Sequence, residues 1–148
     1  MLGINKNGEI AGFPIQIAPS APAIFADADG NLLPNKPVPA GGVATLYLTG
    51  AGEVSPALKT GFTPAATTPP ASLPKPRLPL SVTVAGAQAF LPFVGLAPGL
   101  FGTTEVNFTV PASVPPGPQP VVVTVGGISS PPVTLMVQTP VTAATEPQ

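Results

Sequence analysis

Apolar and polar positions alternate along this chain in short runs, and proline or glycine separates one run from the next. Alternation with a period of two marks an extended strand with one buried face. In Val43–Thr49, VATLYLT, Ala44, Leu46 and Leu48 share one face, and Val43, Thr45, Tyr47 and Thr49 share the other. Leu80–Val84 and Ala87–Val94 predict a hairpin across Gly86. Glu105–Val110 predicts a strand with Val106, Phe108 and Val110 on one face. Pro120–Val125 and Val133–Val137 predict a hairpin through Gly126-Gly127. Near the start, Phe13, Ile15 and Ile17 share one face of a strand predicted over Phe13–Ala18. About seven short strands with turns every 8–12 residues is the pattern of an immunoglobulin-like antiparallel β-sandwich. The expected core is Leu46, Leu48, Val82, Val84, Phe90, Val106, Phe108, Val110, Val123, Val125, Val133 and Leu135.

The connections read as follows. Residues 18–26 are an extended crossing with Ile24 and Phe25 as anchors, and Asp27-Ala28-Asp29-Gly30-Asn31 is a tight turn. The same Asp-x-Asp-Gly run resembles the front half of a calcium loop, but no carboxylate follows at the bidentate position, so the turn is preferred. Residues 55–79 are rich in proline and lack periodicity, which predicts a surface loop or a short edge strand. In the loop from Gly95 to Gly102, Leu96, Leu100 and Phe101 are expected to tuck inward.

One pattern occurs twice. Gly8, Ile10, Pro14, Ile15 and Ile17 align without a gap on Gly126, Ile128, Pro132, Val133 and Leu135. In each copy a glycine turn leads to an isoleucine, a proline and an alternating apolar strand. A sandwich needs its last strand once. The second copy, at the N-terminus, is therefore free to pair with a sandwich other than its own.

Composition narrows the class further. The 148 residues include 24 prolines and 16 glycines. Proline costs about 3 kcal/mol inside a helix, which favours an all-β chain with many turns. Disorder is disfavoured because 44% of the residues are hydrophobic and fall in alternating runs. Only 7% are charged and the net charge is −1, so charge gives the surface little protection against self-association. Five basic residues do not make a phosphate-tracking surface, and no nucleic-acid partner is expected. No apolar run approaches the ~20 residues of a membrane-spanning helix.

Candidate chemistry is sparse. The chain has no His and no Cys, and its six carboxylates are scattered through turns and outward positions. No acid–base pair or Ser–Lys spacing suggests catalysis, so no enzyme activity, cofactor, metal or small-molecule substrate is expected. Asn107-Phe108-Thr109 matches an N-glycosylation acceptor but lies within a predicted strand. Thr60, Thr63, Thr67, Thr68 and Ser72 lie among prolines and alanines, a composition compatible with O-glycans on the 60–72 loop.

The segment from Phe93 to Val137 carries an aromatic-x-GLAPG loop (Phe93, Gly95–Gly99), then Val106-Asn107, Val110-Pro111, Pro116-Gly117, and the run from Val123 through Gly126-Gly127 to Val137. Upstream, Val43–Gly50, VATLYLTG, resembles a V-x-LYxTG-type run. In these features the chain resembles the C-terminal domain of many secreted acidobacterial proteins of the Solibacter type, over residues 13–138. Thr103-Thr104 departs from the aliphatic–aromatic pair usual there. The resemblance implies an immunoglobulin-like sandwich in an exported protein and implies no activity.

The expectation is an N-terminal extension over residues 1–18 acting as a donor strand, a sandwich over 19–139, and a flexible tail over 140–148. The chain is expected at the cell surface or outside the cell, as a structural subunit of a filament or fibre. Its partners would be copies of itself, joined head-to-tail by donor-strand complementation with Phe13, Ile15 and Ile17 as interface anchors. The alternative is a non-polymerising immunoglobulin-like module of a larger secreted adhesin or surface protein.

Overall fold

A computed structural model describes residues 2–6 and 8–140 of the chain. The strands are, in order, β1 (Leu2–Lys6), β2 (Glu9–Phe13), β3 (Ala23–Ile24), β4 (Val38–Pro39), β5 (Val43–Thr49), β6 (Val54–Ser55) and β7 (Lys75–Pro76). They continue with β8 (Leu80–Val84), β9 (Ala87–Gln88), β10 (Phe90–Leu96), β11 (Thr104–Thr109), β12 (Gly117–Val125), β13 (Ile128–Ser129) and β14 (Val133–Gln138). A single 3-10 turn, Pro70–Ser72, is the one helical element among the described residues.

Two main sheets form a β-sandwich. The first has the order β10-β11-β5-β3, all antiparallel. The second has the order β4-β14-β12-β8-β9, with β13 also pairing β12 and with β4 parallel to β14. The alternating residues read from the sequence fill the space between them. Leu46, Leu48, Val106 and Phe108 come from the first sheet, Val82, Val84, Val123 and Val125 from the second, Val110 directly follows β11, and none is accessible to solvent. Val133 and Leu135 are buried from β14. Branched and aromatic side chains of this kind pack well on a pleated, half-buried surface. No buried side-chain N or O atom among the described residues lacks a hydrogen-bond partner.

The turns follow their local chemistry. Between β8 and β9, Ala85 and Gly86 both adopt positive φ (51° and 80°), and Gly126 and Gly127 do so between β12 and β13 (58° and 84°). Two successive left-handed residues give the two-residue hairpin turn whose twist matches the flanking strands. The 27–31 turn is closed by the Asp27 carboxylate. It accepts the backbone N–H groups of Asp29 (3.0 Å) and Asn31 (2.8 Å) and the side-chain amides of Asn31 and Asn35. These bonds to the ionised form hold the Asp27 carboxyl below its ordinary value, Asn31 being the main cause. The turn also joins the second sheet: Leu32 N–H donates to Thr134 O (2.8 Å), and Thr134 N–H donates to Gly30 O (2.9 Å). Leu32 is thereby buried.

Several expectations require correction. Ala87–Val94 is not one strand. The chain pairs with β8 at Ala87 and Gln88, crosses to the other sheet at Ala89, and continues there as β10. Ala89 donates its N–H to Val82 O (2.9 Å) and turns its methyl inward. That orientation sends Phe90 outward, where it is 72% exposed rather than in the core. A bulge between Phe90 and Phe93 then resets the alternation. Leu96 is buried as expected, but Leu100 and Phe101 are exposed, because the 97–103 loop closes on its own backbone through Ala97 and Thr103. Phe25 is also largely exposed, and only Ile24 of that pair packs on the core.

The proline-rich 55–79 stretch does more than span the surface. β6 and β7 pair with each other, and Pro74 O accepts the N–H of Leu96 (2.8 Å). Leu73 is buried, and Ala66, Thr68, Pro70 and Leu73 lie over Phe93, Glu105 and Asn107 on the outer face of the first sheet.

Candidate interface of the N-terminal extension

The strand predicted over Phe13–Ala18 is displaced towards the N-terminus. β2 ends at Phe13, whose Cα is opposite Leu2 of β1, and Pro14–Ala18 forms no strand. Pro14, lacking an N–H, closes the β1–β2 ladder where it occurs. β1 and β2 pair with each other and, among the described residues, with no strand of the sandwich. For Phe13 the described part is the backbone. Ile15 and Ile17 are 53% and 90% exposed, and residues 14–19 are all exposed. From Ile10 to Ala26 the sequence contains no charged residue.

The extension joins the sandwich at one well-defined place. Ser20 is buried and its hydroxyl donates to Val125 O (2.7 Å), while Ala21 N–H donates to Gly50 O (2.8 Å). Gly50 (φ 74°) is required here, since a Cβ would collide with the Ala21 carbonyl. Ser20 therefore begins the folded sandwich, at the end where β5 finishes and β12 meets its glycine turn.

The position homologous to the extension is already filled in this sandwich. β14 is flanked by β12 on one side and by β4 and the 30–32 segment on the other. The free backbone lies elsewhere, along β5. β3 pairs with β5 only at Leu48 and Thr49, and Phe25 N–H adds a bond to Tyr47 O (2.9 Å). Strand parity directs the N–H and C=O of Thr45 and Val43 the same way as those of Tyr47. No strand among the described residues pairs with them on that side. Beneath this edge is a cleft of about 230 Å³ lined by Leu32, Pro34, Lys36, Val38, Val43, Ala44, Thr45 and Leu135. Leu33 and Val43 remain exposed to solvent, as does Phe25 beside Tyr47. Sequence alternation identified β5 but gave no sign of this edge, because the length of β3 is fixed by tertiary pairing.

The other candidate positions are occupied by structural contacts. Tyr47 lies directly opposite Glu105 on the outer face of the first sheet. Partial burial, and secondarily the Glu105 carboxylate, raise its phenol above the ordinary tyrosine value. Asn107 is half-buried and its Oδ1 accepts the Thr45 hydroxyl (2.7 Å). In the 60–72 loop, Thr63 Oγ1 accepts Gly99 N–H (2.9 Å), whereas Thr60, Thr67 and Ser72 are exposed. Arg77 and Glu53 form an exposed ion pair (3.2 Å) of the kind that contributes little.

The fold is that of an all-β sandwich with its free apolar segment outside the sheets. No protein-family model, curated protein or solved structure matches the chain.

Proposed function

We propose that the chain is a structural subunit of an extracellular or cell-surface fibre, in which the N-terminal extension of one copy adds a strand to the sandwich of the next. The sandwich is read as immunoglobulin-like. The observation that carries this reading is the exposed, uncharged segment 14–18, with Ile15 and Ile17 outside the core of their own sandwich. Its sequence copies a strand that is buried in this same fold, so it carries the alternation needed to pair with such a sheet. A surface with 7% charged residues offers little electrostatic resistance to head-to-tail contact. Contacts of that type do not close and therefore propagate. The resemblance to a secreted family is the support for the extracellular location. O-glycans on the exposed Thr60, Thr67 and Ser72 would cover part of the remaining surface.

One observation favours a second reading, a non-polymerising module of a longer surface protein. The β1–β2 hairpin turns at Gly8, within a residue of where the Gly126-Gly127 turn falls under the sequence correspondence. Residues 1–18 would then be the closing hairpin and last strand of a preceding module. Negative-stain microscopy of the purified chain separates the two. Fibres are the expected result, and uniformly dispersed particles at high protein concentration would rule out the fibre reading.

A further inference from the structure

Resting on the fibre reading, we infer that the acceptor for the extension is the unpaired half of β5, Val43–Leu46, in a second copy of this chain. Ile15 and Ile17 would face inward there, one of them entering the cleft lined by Leu32, Val38, Ala44 and Leu135, with the exposed Lys36 also on its wall. The donated segment then continues the line of the neighbour's β3, which stops after covering Leu48 and Thr49.

The remaining edges of the sandwich are poor acceptors. β4 and the 30–32 segment together cover β14, and β9 with Ala89 covers β8 as far as Val82. β10 has Pro92 in its middle and a bulge between Phe90 and Phe93, and its Leu96 N–H is bonded to Pro74. Proline, bulges and covering segments are the devices that block strand addition at an edge. At Val43 and Thr45 none of these is present, and the backbone there faces an open cleft. An apolar cavity of about 150 Å³ accepts a benzene-sized guest, so a cleft of about 230 Å³ accommodates an aliphatic side chain.

Geometry selects a second copy over the chain's own extension. The extension leaves at Pro19, beside the end of β5, and the open edge lies at the start of β5. Along the strand Val43 lies roughly 20 Å and Thr45 roughly 13 Å from Thr49. Ile15 is four residues from Pro19, a reach of at most roughly 14 Å, which falls short of Val43 but not of Thr45. The path along the molecule's own β5 is already occupied by Ala23, Ile24 and Phe25. A neighbour stacked on the end from which the extension leaves presents the start of its β5 instead. The segment 13–18 runs towards its own sandwich, so in the neighbour it runs from the middle of β5 towards its start. That is antiparallel to β5, the direction β3 already takes.

Cysteine cross-linking tests the assignment, because the natural chain contains no Cys. Once the segment is docked as a strand, Gln16 would lie on the face opposite Ile15 and Ile17, while Val43 and Thr45 face outward from β5. Two double variants, Gln16→Cys with Val43→Cys and Gln16→Cys with Thr45→Cys, cover both registers that keep the isoleucines inward. A disulfide requires the paired Cα atoms to be about 4.4–6.8 Å apart. After mild oxidation of the assembled protein, non-reducing electrophoresis should show a ladder of multimers for at least one variant. The ladder should be absent for each single variant beyond the dimer. Fibres by microscopy with no ladder from either variant would overturn the β5 assignment while leaving the fibre reading intact. A cross-linked monomer would place the chain's own extension in the cleft and also overturn it. Dispersed particles without a ladder would remove the fibre reading and this acceptor together.

Discussion

At the scale of single residues, the outer face of the first sheet offers a direct probe of the fold. Tyr47 is the chain's one tyrosine, so phenolate absorbance in the near ultraviolet reports on it alone. Burial first and Glu105 second disfavour its ionised form, and the phenol holds its proton to higher pH in the folded protein than in the unfolded chain. Its contribution to stability is therefore complete below the ordinary tyrosine range and is lost as pH rises through the raised value. A pH titration of the native protein should show the tyrosine ionising later than in a denatured control. Glu105→Gln should lower the midpoint only part of the way, because burial is the larger cause. An unshifted native midpoint would mean that the face carrying Tyr47 and Glu105 is more open than described. Asp27 shows the opposite sign on the other side of the molecule: its turn is supported above the ordinary aspartate range and weakens in acid.

At the scale of elements, alternation alone located β5, β8, β11, β12 and β14 and eleven of the twelve expected core positions, with Phe90 as the exception. Phe90 failed for a tertiary reason. Periodicity is blind to the strand that leaves one sheet and enters the other, and the crossing at Ala89 inverts the faces that follow. The same limit hid β6, β7 and the burial of Leu73, which arise when a proline-rich loop folds back over a neighbouring sheet. The repeat marks the extension, but its strand β2 lies a few residues ahead of the alternating run 13–17. Identical alternation over 13–17 and 131–135 does not determine which part of each copy finds a partner. Where alternation and burial agree, the energetic consequence is large. Phe108 is fully buried near the end of β11, directly opposite Ala44 of β5. Phe108→Ala should destabilise the sandwich by about 3–5 kcal/mol through lost burial and the cavity left behind. Denaturant unfolding measures this directly, and a loss under about 1 kcal/mol would be incompatible with a close-packed core at that position.

At the scale of the whole molecule, the sandwich and its extension are separable on physical grounds. The hydrogen bonds that tie the N-terminal side of the sandwich start at Ser20 and Ala21, and Pro14–Pro19 are exposed. Removing residues 1–18 leaves Ser20 bonded to Val125 and leaves β14 in its place between β12 and β4. The shortened chain should therefore unfold at nearly the same denaturant concentration as the full chain when both are monomeric. Its assembly should differ. With the donated strand gone, the truncated chain should sediment as a monomer at concentrations where the full chain forms fibres. Assembly by the full chain should in turn raise its apparent stability in a concentration-dependent way, because unfolding is then linked to dissociation. The pair of measurements discriminates between causes. Loss of assembly with an unchanged unfolding midpoint assigns the effect to the donated segment. Loss of both would mean that the extension supports its own sandwich. Fibres from the truncated chain would show that the low-charge surface of the sandwich, rather than the extension, drives association.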